Sequence, residues 1–256
     1  MALLNCNFAS MVLMRDCAMN VFVPEKPHSD GKPGFPVIYL LHGRSDDENA
    51  YVHNGIYRYL REREFIVVMP DAARSFYTDM ASGEPYWTFV SEELPRLVQT
   101  MFPARTGRAD TFAAGLSMGG YGALKLGLRQ PERFAKIAAM SAVADIGWVG
   151  RSEGGMDDTE VAAIFGSRTG MLGGDNDLFA LLKRFTPGAM RPGLWMRCGI
   201  DDGLVATNRE FRDRAAAAGG WKIDYRELPG VHDWNFWLGV MPDLLDFFTA
   251  KQPTVQ

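Results

Sequence analysis

Gly115-Leu116-Ser117-Met118-Gly119-Gly120 lies between the apolar run Thr111-Phe112-Ala113-Ala114 and Tyr121-Gly122-Ala123-Leu124-Lys125-Leu126-Gly127-Leu128-Arg129, whose apolar residues recur at helical spacing before Pro131. Strand, small-residue turn and helix therefore come in that order. A serine set in a G-x-S-x-G turn of this kind stands exposed where the strand reverses into the helix, and the glycines keep side chains out of the neighbouring strand and helix. The spacing predicts a nucleophile elbow at Ser117. The alternative, a glycine-rich turn with a solvated serine, accounts for the motif by itself but not for the strand and helix around it.

Outward from this turn, strand and helix patterns alternate. Extended segments are predicted at residues 13–23, 37–41, 65–70, 111–115, 136–142, 194–200 and 223–228, with helical patterns between most of them. Such alternation predicts an α/β fold, a mostly parallel central sheet with helices on both faces, entered by antiparallel strands at one edge. The chain, residues 1–256, reads as one domain. Residues 147–188 are long for a single connection; they carry helical patterns at 159–165 and 178–185 and are predicted to form a small cap insertion. A surface excursion with no catalytic part is the plainer alternative.

A serine hydroxyl needs a base to take its proton and a third group to orient that base. Of the four histidines, His28 lies in a polar, proline-rich loop, His53 sits among Tyr51, Asn54 and Tyr57, and His42 follows the segment 37–41. His232, in Leu228-Pro229-Gly230-Val231-His232-Asp233-Trp234, follows the last predicted strand, where the base falls in the order Ser, Asp, His. Asp201 and Asp202 stand at the end of segment 194–200, where catalytic groups collect in open α/β sheets. Adjacent residues leaving a strand point apart, so one of them can meet the imidazole. Asp202 is the chosen acid, and Asp201 is expected to brace the turn through hydrogen bonds to the backbone. Asp145 is a distant candidate, and Asp233 is too constrained by its place beside the histidine. In Leu41-His42-Gly43-Arg44, the Arg44 N–H is the candidate partner of the Met118 N–H in an oxyanion hole; a tight turn is the plain alternative.

These residues carry a resemblance. The chain resembles the esterase D and tributyrin esterase group of α/β-hydrolases, which also includes S-formylglutathione hydrolases, some feruloyl esterases and mycolyltransferases. The blocks are Tyr39-Leu40-Leu41-His42-Gly43; Ser75-Phe76-Tyr77-Thr78-Asp79-Met80 with Tyr86-Trp87-Thr88-Phe89 and Glu92-Glu93-Leu94-Pro95; Gly115 to Gly122; and Cys198-Gly199 with Asp202 and Gly230-Val231-His232-Asp233-Trp234. The second is the most family-specific. The resemblance implies an α/β-hydrolase fold, Ser117 as nucleophile, Asp202 as acid, His232 as base, and the Arg44 and Met118 amides as oxyanion hole. Arg44 departs from the apolar residue more usual at its position, which bears on substrate preference.

Trp87 and Trp234 are expected near the site as substrate-binding residues; Trp148, Phe236 and Trp237 are further pocket candidates, with ordinary core packing as the alternative for each. The reaction expected is hydrolysis of a small-molecule short-chain acyl ester, with no cofactor and no metal. A thioester of the S-formylglutathione kind, a plant-derived feruloyl or acetyl-xylan ester, and an idle hydrolase-fold binding module are the alternatives. A formal net charge of −4 without a basic run argues against nucleic acid as a partner, and no apolar stretch has membrane-spanning length. With no secretory pattern at the amino terminus, a cytoplasmic protein is the default. Three cysteines fit neither a disulfide framework nor zinc spacing and are expected as free buried thiols. A homo-oligomer is left open.

Overall fold

The computed structural model describes residues 1–151 and 154–250. Eight strands, β1 (Ala2–Ser10), β2 (Arg15–Val23), β3 (Val37–Leu41), β4 (Ile66–Pro70), β5 (Thr111–Leu116), β6 (Lys136–Met140), β7 (Gly193–Gly199) and β8 (Ile223–Leu228), form one sheet in the order β1-β2-β4-β3-β5-β6-β7-β8. The pairs β1–β2 and β2–β4 are antiparallel, and every pair from β4–β3 to β7–β8 is parallel.

Strands buried on both faces read as continuous apolar runs, and their alternate side chains feed two cores. Val37, Tyr39 and Leu41 of β3 join one core, which also takes Leu94, Val98, Tyr121, Leu124 and Phe211 from helices. Ile38 and Leu40 join the other, with Phe112, Trp195 and residues Met241, Leu244, Leu245 and Phe248 of the last helix. Helices thus cover both faces. From β3 the chain moves outward to β4, then returns across β3 to β5, so β3 and β5 flank a topological switch point. In open α/β sheets the crevice beyond the carboxyl ends of such strands is where ligands bind.

Strands β4, β5, β7 and β8 agree with the sequence reading to within a residue at each end, and two boundaries differ by more. The single strand expected over 13–23 is the second arm of a hairpin, since residues 2–10 form β1. As an edge strand exposed over most of its length, β1 turns inward only Cys6, Phe8 and Ser10, too few and too mixed to write an apolar alternation into its sequence. Its turn is held from a distance: buried Glu93 accepts from the Met11 N–H (2.8 Å), the Val12 N–H (3.4 Å) and the Ser10 hydroxyl. At the other boundary, β6 stops at Met140 because Ser141 turns into the left-handed region, φ 47°. The cysteines are free, Cys17 and Cys198 buried but Cys6 only half-buried on the edge strand.

Candidate active site

Ser117 leaves β5 with φ 53° and ψ −117°, a conformation that non-glycine residues avoid and that persists where the surroundings over-determine it. Two glycines make that possible. A Cβ on Gly115 would fall on the backbone of Gly119, and one on Gly119 would fall on the Leu41 and His42 carbonyls. The elbow is therefore wedged against the end of β3, with Ser117 N–H bonded to Met140 O (2.9 Å) and Val143 N–H to Ser117 O (3.2 Å).

The structure brings Ser117 together with two distant side chains. His232 Nε2 lies 3.0 Å from Ser117 Oγ, and His232 Nδ1 lies 2.9 Å from Asp202 Oδ2. Across the ring, Trp237 stands edge-on at 5.0 Å between centroids, backed by Trp234 at 5.3 Å and then Tyr51 at 5.2 Å. Asp202 is buried, and its second oxygen accepts from Leu204 N–H at 2.8 Å. Burial by itself would raise its pKa; the hydrogen bond and charge of His232 and the Leu204 N–H outweigh it and hold the carboxyl below its usual range.

The competing acids have other tasks. Asp201 is exposed, and the bracing bond expected of it is made by Asp202 Oδ1 instead, because Asp201 turns outward from the loop after β7 and Asp202 inward. Asp145 caps the short helix Ile146–Val149 through Gly147 N–H and pairs with Arg151. Asp233 caps Trp234–Gly239 through Phe236 N–H. Among the histidines, His42 is buried: its Nε2 accepts from Ala72 N–H (2.9 Å), which leaves the proton on Nδ1 to donate to Gly43 O (2.7 Å).

That histidine is one of four side chains pinning the turn after β3. Tyr51 Oη donates to Leu41 O (3.0 Å) and Tyr77 Oη to His42 O (2.9 Å), while Asp46 Oδ2 accepts from Gly43 N–H (3.2 Å). Among the described residues, the Arg44 N–H that follows has no acceptor. Met118, first residue of the Met118–Arg129 helix, likewise has no intrahelical acceptor for its N–H.

Tyr77 is held in turn by Lys125, on the same helix. Fully buried, Lys125 Nζ donates to Tyr77 O (2.9 Å), Thr78 Oγ1 (2.9 Å) and Asn176 Oδ1 (2.7 Å). These bracing roles of Tyr51, Tyr77 and Lys125 were not read from the sequence. Tyr77 lies inside the family-specific block, which was the available signal.

A cavity of about 540 Å3 opens over the serine, lined by Arg44, Phe76, Val143, Trp148, Trp234 and Trp237 among others, and by Gly154 and Gly155 of segment 147–188. Of the expected substrate-binding tryptophans, Trp234 lines it. Trp87 does not: it packs beneath the Arg129 guanidinium (3.8 Å from the ring centroid) and Lys125 (5.2 Å), because its short helix lies away from the cavity. Phe236 is also outside and packs against Gly230. Helices Asp158–Phe165 and Leu178–Leu182 occupy the segment where a cap was expected; its residues 152 and 153, like 251–256, lie outside the described residues. Among the described residues, no group of three or more His, Cys, Asp or Glu side chains could hold a metal ion, and no helix is long and apolar enough to cross a membrane.

A doubly covered, mostly parallel sheet with a strained serine at its switch point defines a serine hydrolase of the α/β-hydrolase type. The Esterase family model, described as "Putative esterase", matches residues 10–248. An acetyl esterase of Caldicellulosiruptor saccharolyticus is 30% identical over 252 residues, 93% of this chain and 94% of that protein. Among solved structures, FphF, a fluorophosphonate-binding serine hydrolase of Staphylococcus aureus, superposes with a TM-score of 0.89 at 30% identity, covering 98% of this chain and 99% of that one. The S-formylglutathione hydrolase FrmB of Staphylococcus aureus gives a TM-score of 0.86 at 30% identity, covering 96% and 98%. The chain belongs to this esterase family and is a carboxylic ester hydrolase.

Proposed function

We propose that the protein is a serine carboxylesterase acting on short-chain acyl esters, with Ser117 as nucleophile, His232 as base and Asp202 as the acid that orients it. The observation that carries this reading is the continuous contact from Asp202 Oδ2 through both ring nitrogens of His232 to Ser117 Oγ, at 2.9 and 3.0 Å. Reaction begins when His232 Nε2 takes the Ser117 proton as Oγ attacks the ester carbonyl. The carbonyl oxygen becomes an oxyanion, held by the Arg44 and Met118 N–H groups, and the imidazolium formed is stabilised by Asp202. The same nitrogen returns the proton to the departing alcohol, leaving an acyl group on Oγ. Water, deprotonated by His232, then attacks the acyl carbon, and His232 returns that proton to Ser117 Oγ as the bond to the acyl carbon breaks and the acid leaves. Every proton is handled by one imidazole, so the cycle requires neither metal nor cofactor.

Trp234 and the segment 147–188 shape the acyl or alcohol site, the latter as a cap on a single domain. The reading includes a cytoplasmic enzyme with a small-molecule substrate and no nucleic-acid partner, the last supported by a net charge of −4 without a basic run. Thioester hydrolysis is the second reading, favoured by the likeness to the S-formylglutathione hydrolase. Paired rates on a butyrate or acetate ester and on S-formylglutathione decide between them. Fluorophosphonate is expected to label the wild type and not Ser117→Ala; labelling of the variant at another residue overturns the nucleophile.

A further inference from the structure

Beside the catalytic cavity lies a second one of about 690 Å3, and the two share Arg44, Ser45 and Asp46 as a common wall. The second continues past Arg74, Met80, Glu84 and Tyr86 to Glu160 and Ile164 of the cap segment. Its charged groups are largely committed to one another. Arg74 pairs with Glu160 (2.6 Å), Glu84 faces Arg15 (3.9 Å), and Asp46 Oδ2 accepts from Gly43 N–H (3.2 Å).

Arg44 is the exception. Its guanidinium donates from Nη1 to the Gly154 carbonyl (3.1 Å), and among the described residues no carboxylate pairs with it. Among the described residues it is also the one cationic side chain lining the catalytic cavity, whose other charged members are Asp46, Asp202, Asp233 and, when protonated, His232. Asp202 is engaged by His232, and Asp233 caps a helix. Among the described residues, Arg44 and Asp46 each meet one backbone group at the junction and no ion pair, and Arg44 is the member there that can receive an anion. A guanidinium presents a planar fork of donors that matches a carboxylate two bonds at a time, and one held by a single neutral carbonyl keeps most of those donors.

From this arrangement we infer that Arg44 selects esters that carry a carboxylate, its guanidinium meeting that group where the two cavities join while its own N–H faces the reacting carbonyl. The inference rests on the serine-esterase reading above and assigns that site a substrate class: small esters with a free carboxylate on either the acyl or the alcohol part. Backbone and side chain of one residue then serve the two ends of one substrate, which ties recognition of the anion to alignment of the ester.

The test compares ratios, since Arg44 also belongs to the proposed oxyanion turn and its replacement will change absolute rates. Two matched pairs place the charge on either side: 4-acetoxybenzoate against 4-acetoxybenzamide, and 4-nitrophenyl hydrogen succinate against 4-nitrophenyl methyl succinate. For at least one pair, the ratio of kcat/KM for the anionic over the neutral ester is expected to fall about tenfold or more in Arg44→Met, as for a lost charge-assisted hydrogen bond. Arg44→Lys should retain part of it, and the pair affected shows which side carries the anion. Wild-type ratios should also fall between low salt and about 0.5 M salt, a readout that holds even if the variant folds poorly. Ratios that stay within about twofold for both pairs, in Arg44→Met and across the salt range, overturn the inference while leaving the esterase reading intact. Failure of all four esters to turn over, with no fluorophosphonate labelling of Ser117, overturns the esterase reading and this inference with it.

Discussion

Two serines stand at the carboxyl ends of neighbouring parallel strands. Ser117 follows β5 with φ 53°, and Ser141 follows β6 with φ 47°. Each is locked by its neighbour strand: Ser117 N–H bonds to Met140 O (2.9 Å), and Ser141 N–H bonds to Arg197 O (2.8 Å). Their hydroxyls differ completely. Ser117 Oγ faces the cavity and His232, whereas Ser141 Oγ is fully buried beside the Asp202 carboxylate and the Cys198 thiol, without hydrogen-bond geometry to any group among the described residues. Backbone strain at a strand end is thus common to both and explains neither role. What separates them is a base within reach and room for a substrate.

The comparison is broken most directly at Ser117. Ser117→Ala is expected to lower kcat on an acetate or butyrate ester by about 10^4-fold or more while leaving the thermal unfolding transition in place. Retained turnover would remove the distinction between the two serines.

Next in size is the acid. Asp202→Asn should cost roughly 10^3- to 10^4-fold in kcat, because an amide mis-sets the imidazole tautomer, whereas Asp201→Asn should remain within a few-fold, about threefold, of the wild type. Equal losses at both positions would contradict the inward and outward placement of the two carboxylates. The same substitution has a pH signature. A carboxyl whose folded pKa lies below its unfolded one contributes stability that is present above about pH 4 and lost as pH falls through the folded value. Urea titrations should therefore show the wild type losing part of its advantage over Asp202→Asn on acidification, and a constant difference would count against a depressed pKa.

Lys125 sharpens the comparison through support rather than chemistry. Lys125→Met leaves Tyr77 O and Asn176 Oδ1 without their buried donor and is expected to destabilise the fold by about 2–4 kcal/mol, read by chemical denaturation. Its kcat should fall less than that of Asp202→Asn, since the turn after β3 keeps its bonds to Tyr51 and His42. A variant as stable as the wild type would show that the three bonds are replaced by others.

Smallest is Ser141→Ala. Removing a hydroxyl that lies beside the Asp202 carboxylate outside full hydrogen-bond geometry should change stability by no more than about 1 kcal/mol, with kcat changed less than about threefold. A tenfold or larger loss would make Ser141 a positioning residue for Asp202.

The elbow was legible because its requirements are local. Strand, small residue, serine, small residue and helix follow one another within the stretch from Thr111 to Arg129, and steric exclusion at Gly115 and Gly119 acts on backbone that is adjacent in sequence or stacked directly upon it. Strands β3 to β7 were legible for a related reason, since burial on both faces writes an apolar run into the sequence, whereas the half-buried β8 showed through the alternation of Ile223-Asp224-Tyr225-Arg226. Strand β1 was missed because an exposed edge leaves no such mark. Trp87 was misplaced for a different reason. Nearness in sequence to a family-specific block suggested the pocket, but that block mostly braces: Tyr77 holds the turn after β3, Glu93 holds the β1–β2 turn, and Trp87 lies under Arg129.

From its residues alone, this chain determined a parallel α/β sheet, an elbow serine and a short candidate set for base and acid, because backbone sterics and burial patterns act over a few neighbouring positions. Only the tertiary structure decided which aspartate meets His232, what pins the turn before Arg44 and where the Arg44 guanidinium stands between two cavities. Those outcomes depend on side chains separated by tens to more than a hundred positions, and their distances exist only after the sheet has assembled.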